Sequence, residues 1–238
     1  MNNWDKIWKS RETKLTNTDD VFQMFCNLKR ANGFDTQDVD NYYESFYEEW
    51  LERTAFIKEL CREPLESVYE VGCGSGVNLY MFRQLENIEK LGGIDYSENI
   101  IKVAKSVVAS SDISCGEALD ISVAEKYDLV LSDSVFQYFQ DAEYGMKVLE
   151  KMYQKAGKLV VITEIHDESR KEEHLKYRRA IVENYDEKYK GLDKTFYTEE
   201  MFRAFAEKVK CKCVIKKPKN MIYWNNKYVF ECYLLKDN

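Results

Sequence analysis

From Pro64 onward the chain alternates short, β-branched apolar runs with segments of helical spacing, and this alternation limits the fold more than any other feature. The runs fall near 67–71, 91–94, 127–131 and 158–163, with a further short one just before Glu117. Between them lie amphipathic segments such as SENIIKVAKSVVAS, where Ser97 can cap a helix and Ile100, Ala104, Val107 and Val108 share a face. Strands alternating with helices predict βαβ units and a mostly parallel sheet. The end of the chain breaks that rhythm: CKCVIKK, a turn and KYVFECYLLK are two consecutive strands, so the last strand is expected to enter antiparallel.

Before Pro64 the texture differs. DDVFQMFCNLKRANG and VDNYYESFYEEWLERTAFIKELCRE carry apolar and aromatic residues at helical spacing, the first ending at Gly33 as a C-cap. The expected organisation is a helical N-terminal arm over 1–64 and a core over 65–238, forming one structural domain, which 238 residues suit. A net charge of −7 has the wrong sign for a chain that neutralises phosphates, so no nucleic acid partner is expected. No apolar run reaches the ~18 residues needed to span a bilayer and the N-terminus lacks an apolar leader, so the expectation is a cytoplasmic protein with no membrane partner. Seven irregularly spaced cysteines fit a reducing compartment, and two histidines without a CxxC pair predict no metal.

The first strand runs into VGCGSG, three glycines in five positions, where a parallel sheet presents ligands to the carboxyl ends of its strands. Glycines there let a ligand approach backbone closely. The second strand ends at Asp95, nineteen residues beyond Gly76, where a carboxylate can accept from both hydroxyls of a ribose. Glu117 and Ala118 follow the third, where an acceptor and a backbone N–H could bracket an adenine edge. The spacing is GxGxG with Glu70 ahead, whereas the dinucleotide fingerprint is GxGxxG/A. Both cofactor classes use the acid, so a nicotinamide-dependent oxidoreductase remains an alternative at this point.

YEVGCGSG, GIDYSENII, GEALDI and YDLVLSDSVFQYF resemble, in order and spacing, the successive cofactor motifs of class I S-adenosylmethionine-dependent methyltransferases. The resemblance implies a Rossmann-like α/β fold, a seven-stranded sheet of order 3-2-1-4-5-7-6 with strand 7 antiparallel and helices on both faces. It implies S-adenosyl-L-methionine as cofactor and S-adenosyl-L-homocysteine as product. By matching positions, Glu70, Gly72, Cys73, Gly74 and Gly76 would border the methionine, Asp95 the ribose, Tyr96 the adenosine edge and Glu117 with Ala118 the adenine. Ser132 and Phe136 would lie near the methionine and sulfonium. The NWDKIW opening and SVFQYF are similar to bacterial enzymes acting on small metabolites, some near capsule or surface-sugar gene clusters.

Methyl transfer from a sulfonium needs alignment above all, and good alignment supplies roughly 7–11 kcal/mol. An alcohol acceptor gains from a base as well, typically ~10²–10⁴-fold. His166, just past the fifth strand, and Asp133, after the fourth, are the candidate catalytic residues, with Glu164 and Asp167 able to orient His166 or the substrate. Acceptor contacts are expected from Tyr138, Tyr177, Arg178 and Tyr223, and further from Tyr42, Tyr43, His174 and Trp224, while Trp4 and Trp8 are expected to pack one helix face. The sequence thus predicts methylation of a small-molecule acceptor, at oxygen. A catalytically silent cofactor-binding subunit would carry the same four motifs.

Overall fold

A computed structural model of the chain describes Trp4, Ile7, Trp8 and residues 15–34, 39–110 and 112–236. Seven strands form one sheet: β1 Ser67–Val71, β2 Lys90–Asp95, β3 Asp112–Cys115, β4 Tyr127–Asp133, β5 Ala156–His166, β6 Lys212–Lys216 and β7 Val229–Leu235. Their order is β3-β2-β1-β4-β5-β7-β6. The first five are parallel, and β7 lies antiparallel to both β5 and β6, as the terminal hairpin implied.

Alternation along the central strands separates the interior into two layers, because successive side chains leave a strand on opposite faces. Val68, Leu129, Leu131, Leu159 and Val161 face one apolar cluster, whereas Tyr69, Val71, Val130, Val160 and Ile162 face the other. The crossover helices α3 Val77–Glu86, α4 Glu98–Val107 and α5 Ala142–Lys155 cover these faces, and α6 Lys171–Ile181, the single turn α7 Tyr185–Lys188 and α8 Glu199–Val209 follow β5. The long polar segment after β5 is broken at Asn184, which takes a positive φ of 54°.

The helices α1 Val21–Ala31 and α2 Tyr43–Cys61 precede the sheet. Asp20 starts α1 by accepting a hydrogen bond from the Gln23 amide at 2.7 Å, and Gly33 at φ 96° lets the chain leave it. Met24, Phe25 and Leu28 of α1 and Phe46, Trp50 and Ile57 of α2 belong to the same apolar cluster as Val68 and Leu79. The arm therefore shares its core with the sheet and closes over its carboxyl edge. Among the described residues, no helix is long and apolar enough to cross a membrane.

Candidate active site

The turn after β1 is built from left-handed backbone. Gly72, Gly74 and Gly76 take φ of 75°, 50° and 80°, a region that costs an L side chain roughly 1–2 kcal/mol. Space is as restrictive as conformation. A Cβ on Gly72 would stand 2.3 Å from a Val135 methyl, and one on Gly74 would stand 2.5 Å from Asn32 Oδ1. The turn is thus held between the end of β4 and the arm. Ser75 is tied to the arm twice: its amide donates to Asn32 Oδ1 at 2.7 Å and its hydroxyl to the Leu28 carbonyl at 2.9 Å.

Asp95, at the tip of β2, joins two loops. Its Oδ2 accepts from the Gly74 amide at 3.0 Å and its Oδ1 from the Ser97 amide at 2.9 Å. Burial pushes its carboxyl up to about 6, against the pull of those two amides. A carboxylate offers about four acceptor sites, so each oxygen keeps room for one hydroxyl of a diol. Glu70 lies buried beneath the turn; its Oε1 accepts from Asn78 Nδ2 at 2.6 Å while Oε2 has no partner among the described residues. Burial raises its carboxyl well above the usual range. A carboxyl oxygen with no partner among the described residues under a glycine turn, and a carboxyl with spare acceptor capacity at the tip of the next strand, suit an aminoacyl nucleoside such as S-adenosylmethionine.

The other expected cofactor positions have distinct settings. Cys73 is buried and its thiol is pushed up by burial, with Asp95 and Glu70 adding to the effect. Tyr96 follows Asp95, and its carbonyl accepts a weak bond from Cys115 Sγ at 3.6 Å. Glu117 caps a 3₁₀ turn that begins at Ala118, its amide donating to Asp120 Oδ2 at 3.0 Å. Ser132 is buried, with its hydroxyl donating to the Val71 carbonyl at 2.9 Å, so it joins β4 to β1. Phe136 is fully buried against Phe139, Tyr197 and Phe202. Its ring therefore fills the core, and Val135 is the side chain of this loop that stands against the glycine turn.

Asp133 is the centre of a buried charge cluster. Thr163 Oγ1 donates to it at 2.5 Å, and Arg53 and Lys29 approach at 3.4 and 3.8 Å. Arg53 and Lys29 hold its carboxyl well below the usual range although burial opposes them, so it takes up a proton poorly and serves to anchor the arm. Nearby, Glu49 is pushed up to about 7 by burial, with Asn226 Nδ2 donating to it at 2.6 Å. Arg53, Lys29, Glu49, Asn226 and Asn32 are residues that local sequence pattern did not single out, because their roles depend on the arm folding back on the sheet.

The tips of β4 and β5 carry backbone strain. Ser134 and Glu164 both sit at positive φ, 60° and 55°, and the Ser134 hydroxyl donates to Glu164 Oε2. The strain at Glu164 coincides with a register shift between Ile162 and Ile165 against β7. Glu164 Oε1 accepts from Asn225 Nδ2 at 2.5 Å, and the same nitrogen lies 3.5 Å from His166 Nε2. His166 is 3 % exposed, and burial, with the charges of Lys194, His174 and Arg178 adding to it, lowers its pKa well below the ordinary histidine value. It is therefore neutral at pH 7. Asp167 faces away from this group, paired with Lys217 at 2.5 Å.

Of the expected acceptor contacts, Tyr223 lines a pocket together with Ser134 and Glu164, whereas Tyr138, Tyr177 and Arg178 lie outside its lining. Tyr138 lies with its ring 3.3 Å from Lys194 Nζ and edge-on to Trp4 and Trp8 at 5.1 and 5.6 Å. The two tryptophans thus meet over Tyr138, and Ser97, the first residue of the α4 cap, spends its hydroxyl on the Trp8 carbonyl at 3.0 Å. Tyr177 stacks on Trp224 at 5.2 Å, and Tyr223 packs among Phe34, Tyr42 and Phe46. Arg178 lies 5.2 Å from the Trp224 ring.

A family model described as "Methyltransferase domain" matches residues 63–227. The chain belongs to this family. Among curated relatives, malonyl-[acyl-carrier protein] O-methyltransferase from Priestia megaterium is 29 % identical over 99 residues, covering 41 % of this chain and 36 % of that protein. The protein of the same name from Bacillus anthracis is 26 % identical over 145 residues, covering 59 % of this chain and 52 % of its own length. The chain spans about half or less of these relatives. Among solved structures, the plantazolicin methyltransferase BpumL in complex with a triazolic desmethylPZN analog and SAH is similar over 100 % of both chains, with a TM-score of 0.64 and 16 % identity. That likeness concerns the fold. The family match answers the choice left open by the glycine turn, between a methyltransferase and a nicotinamide-dependent enzyme, in favour of the first.

Proposed function

We propose that this member of the methyltransferase family transfers the methyl group of S-adenosylmethionine to an oxygen of a small-molecule or carrier-bound acceptor. The observation that carries the reading is the junction of the left-handed glycine turn with Asp95, which sets a carboxylate able to accept from a diol beside that turn at the tips of β1 and β2. The names of the curated relatives, O-methyltransferases of a malonyl thioester, support oxygen as the nucleophile. Bound S-adenosylmethionine supplies an already activated methyl group on a sulfonium.

The protein's own residues hold and align. Asp95 would take the ribose, the turn 72–76 would border the aminoacyl end, and Glu70 would face its ammonium. The buried Arg53–Asp133–Lys29 cluster fixes the arm as the wall of the opening. Glu164 and Asn225 set the orientation of His166 at the acceptor's side. A neutral imidazole there can accept a proton from an alcohol, whereas an ionised acid would arrive with none to remove.

Calorimetric titration of the protein with S-adenosylhomocysteine and with NAD tests the cofactor, and binding of NAD alone would overturn the reading. Release of S-adenosylhomocysteine from S-adenosylmethionine in the presence of a panel of cell metabolites and acyl thioesters tests the chemistry. No release with any of them from a protein that binds the cofactor would leave a silent subunit as the better description.

A further inference from the structure

Beyond the end of β5 the chain gathers cationic and imidazole groups whose N–H donors find no oxygen among the described residues. Lys194 Nζ stands 3.3 Å from the centre of the Tyr138 ring and 4.5 Å from that of Trp4. The Arg178 guanidinium lies between Trp224, Tyr189 and Tyr185, 5.2, 5.2 and 5.5 Å from their ring centres. Neither makes an ion pair or a hydrogen bond among the described residues. His166 and His174 pack ring to ring at 4.9 Å, each only 3 % exposed, and the Nδ1 of each is buried without a partner.

Burial lowers the Lys194 amine well below its ordinary value, with Glu164 opposing, so an anion beside it would favour its charged form. Aromatic faces accept no N–H bond in the way an oxygen does, so the donors of Lys194 and Arg178 are left unused among the described residues. Two buried imidazole nitrogens in the same condition are unusual, since buried polar atoms are nearly always paired. The carboxylate that faces the group is Glu164, already engaged by Ser134 and Asn225. The phenols of Tyr138, Tyr189 and Tyr223 are the other titratable neighbours, and burial raises those of Tyr138 and Tyr223, so they stay neutral. The group is linked to the glycine turn by one chain of contacts: Val135 against Gly72, its neighbour Ser134 bonded to Glu164, and Glu164 joined through Asn225 to His166.

We propose that this cluster binds an anionic group of the acceptor, a carboxylate or a phosphate, with Lys194 and Arg178 as its cationic contacts and His166 and His174 as neutral N–H donors. The proposal rests on the methyl-transfer reading and narrows its substrate to a small oxyacid or an acid-bearing thioester. The rings of Trp4, Tyr138 and Trp224 lie against the Lys194 and Arg178 head groups, and such apolar surroundings strengthen each polar contact.

The chain has two histidines, so both imidazoles can be followed individually by NMR. The full chain, saturated with S-adenosylhomocysteine, is titrated with malonate, with inorganic phosphate and with malonamide, the neutral counterpart of malonate. Malonate or phosphate should shift both imidazole signals saturably, with an affinity on the order of millimolar, while malonamide should leave them in place. Preference for malonate identifies a carboxylate acceptor, and preference for phosphate a phosphate-bearing one. Lys194→Met should weaken the anion at least about tenfold, the loss of one charge-assisted contact, and Lys194→Arg should restore much of it. Absence of a saturable shift with both anions, or an equal response to malonamide, would overturn the proposal even if the methionine variant fails to fold. Failure of S-adenosylhomocysteine to bind would instead count against the cofactor reading, and the anion titration of the unsaturated protein would still decide whether the cluster binds an anion.

Discussion

Asp95 makes cofactor affinity a function of pH in a way that can be worked out from its surroundings. In the free protein its carboxyl is pushed up to about 6 by burial, although two backbone amides favour the ionised form. A ribose diol would donate two further bonds to that ionised form and draw the pKa back toward the ordinary carboxylate value of ~3.9. Binding therefore releases a proton wherever the free protein still holds one. Between values of about 6 free and about 4 bound, affinity at pH 5 should be about tenfold weaker than at pH 7, or about 1.4 kcal/mol. Calorimetry with S-adenosylhomocysteine at both pH values, in two buffers of different ionisation enthalpy, measures the affinity and the released proton. Asp95→Asn should bind more weakly and lose this slope, which separates Asp95 from the nearby Glu70 and Glu49. Affinity equal within twofold at the two pH values, or a slope that survives in Asp95→Asn, would refute the assignment of Asp95 to the ribose.

Glu49, raised to about 7 by burial, favours the folded state fully below its unfolded pKa of ~4.3 and loses that contribution as pH rises through 7; Glu49→Gln, which keeps the acceptor for Asn226, should be more stable than the parent at pH 8 by on the order of 1–2 kcal/mol, with little difference at pH 4, as read by urea unfolding. Gly74→Val combines left-handed strain with a Cβ 2.5 Å from Asn32 Oδ1, so it should lower the melting temperature and abolish S-adenosylhomocysteine binding, whereas retention of both would show that the turn is not packed as described. His166→Asn should lower turnover less than about tenfold with an acid acceptor, which arrives ionised; a loss of ~10²-fold or more with cofactor affinity intact would assign it proton removal. Ser97→Ala removes the bond to the Trp8 carbonyl, and should weaken cofactor binding severalfold if the N-terminal segment covers the nucleoside, a change of about 0.5–1.5 kcal/mol by titration.

The antiparallel last strand and the glycine turn were readable because each depends on local signals, alternation of apolar residues and turn composition, whereas the strand order was implied by the resemblance of the four motifs to a known family. Asp95 was readable for the same reason, as the acid that ends β2. The charge cluster was not. Arg53 and Asp133 are 80 residues apart in the chain and meet at 3.4 Å only because α2 folds back over the sheet, so neither carries a local mark of the other. Phe136 illustrates a different limit, since an aromatic after β4 can turn inward or outward. Here it turns into the core beside Tyr197 and leaves Val135 at the opening. Lys194 lay in a stretch with no motif at all. Its setting arises from Trp4 at the other end of the sequence and from Tyr138 after β4.

The double attachment of Ser75 to Asn32 and Leu28 makes the position of the helical arm and the shape of the glycine turn one variable rather than two. A ligand that draws the turn into a single conformation must then also tighten the arm, and by reciprocity anything that loosens the arm must weaken the ligand by the same factor. Hydrogen exchange in α1 would therefore report on occupancy at the far side of the loop, and variation in the arm could tune affinity for the nucleoside without any residue that touches it being changed.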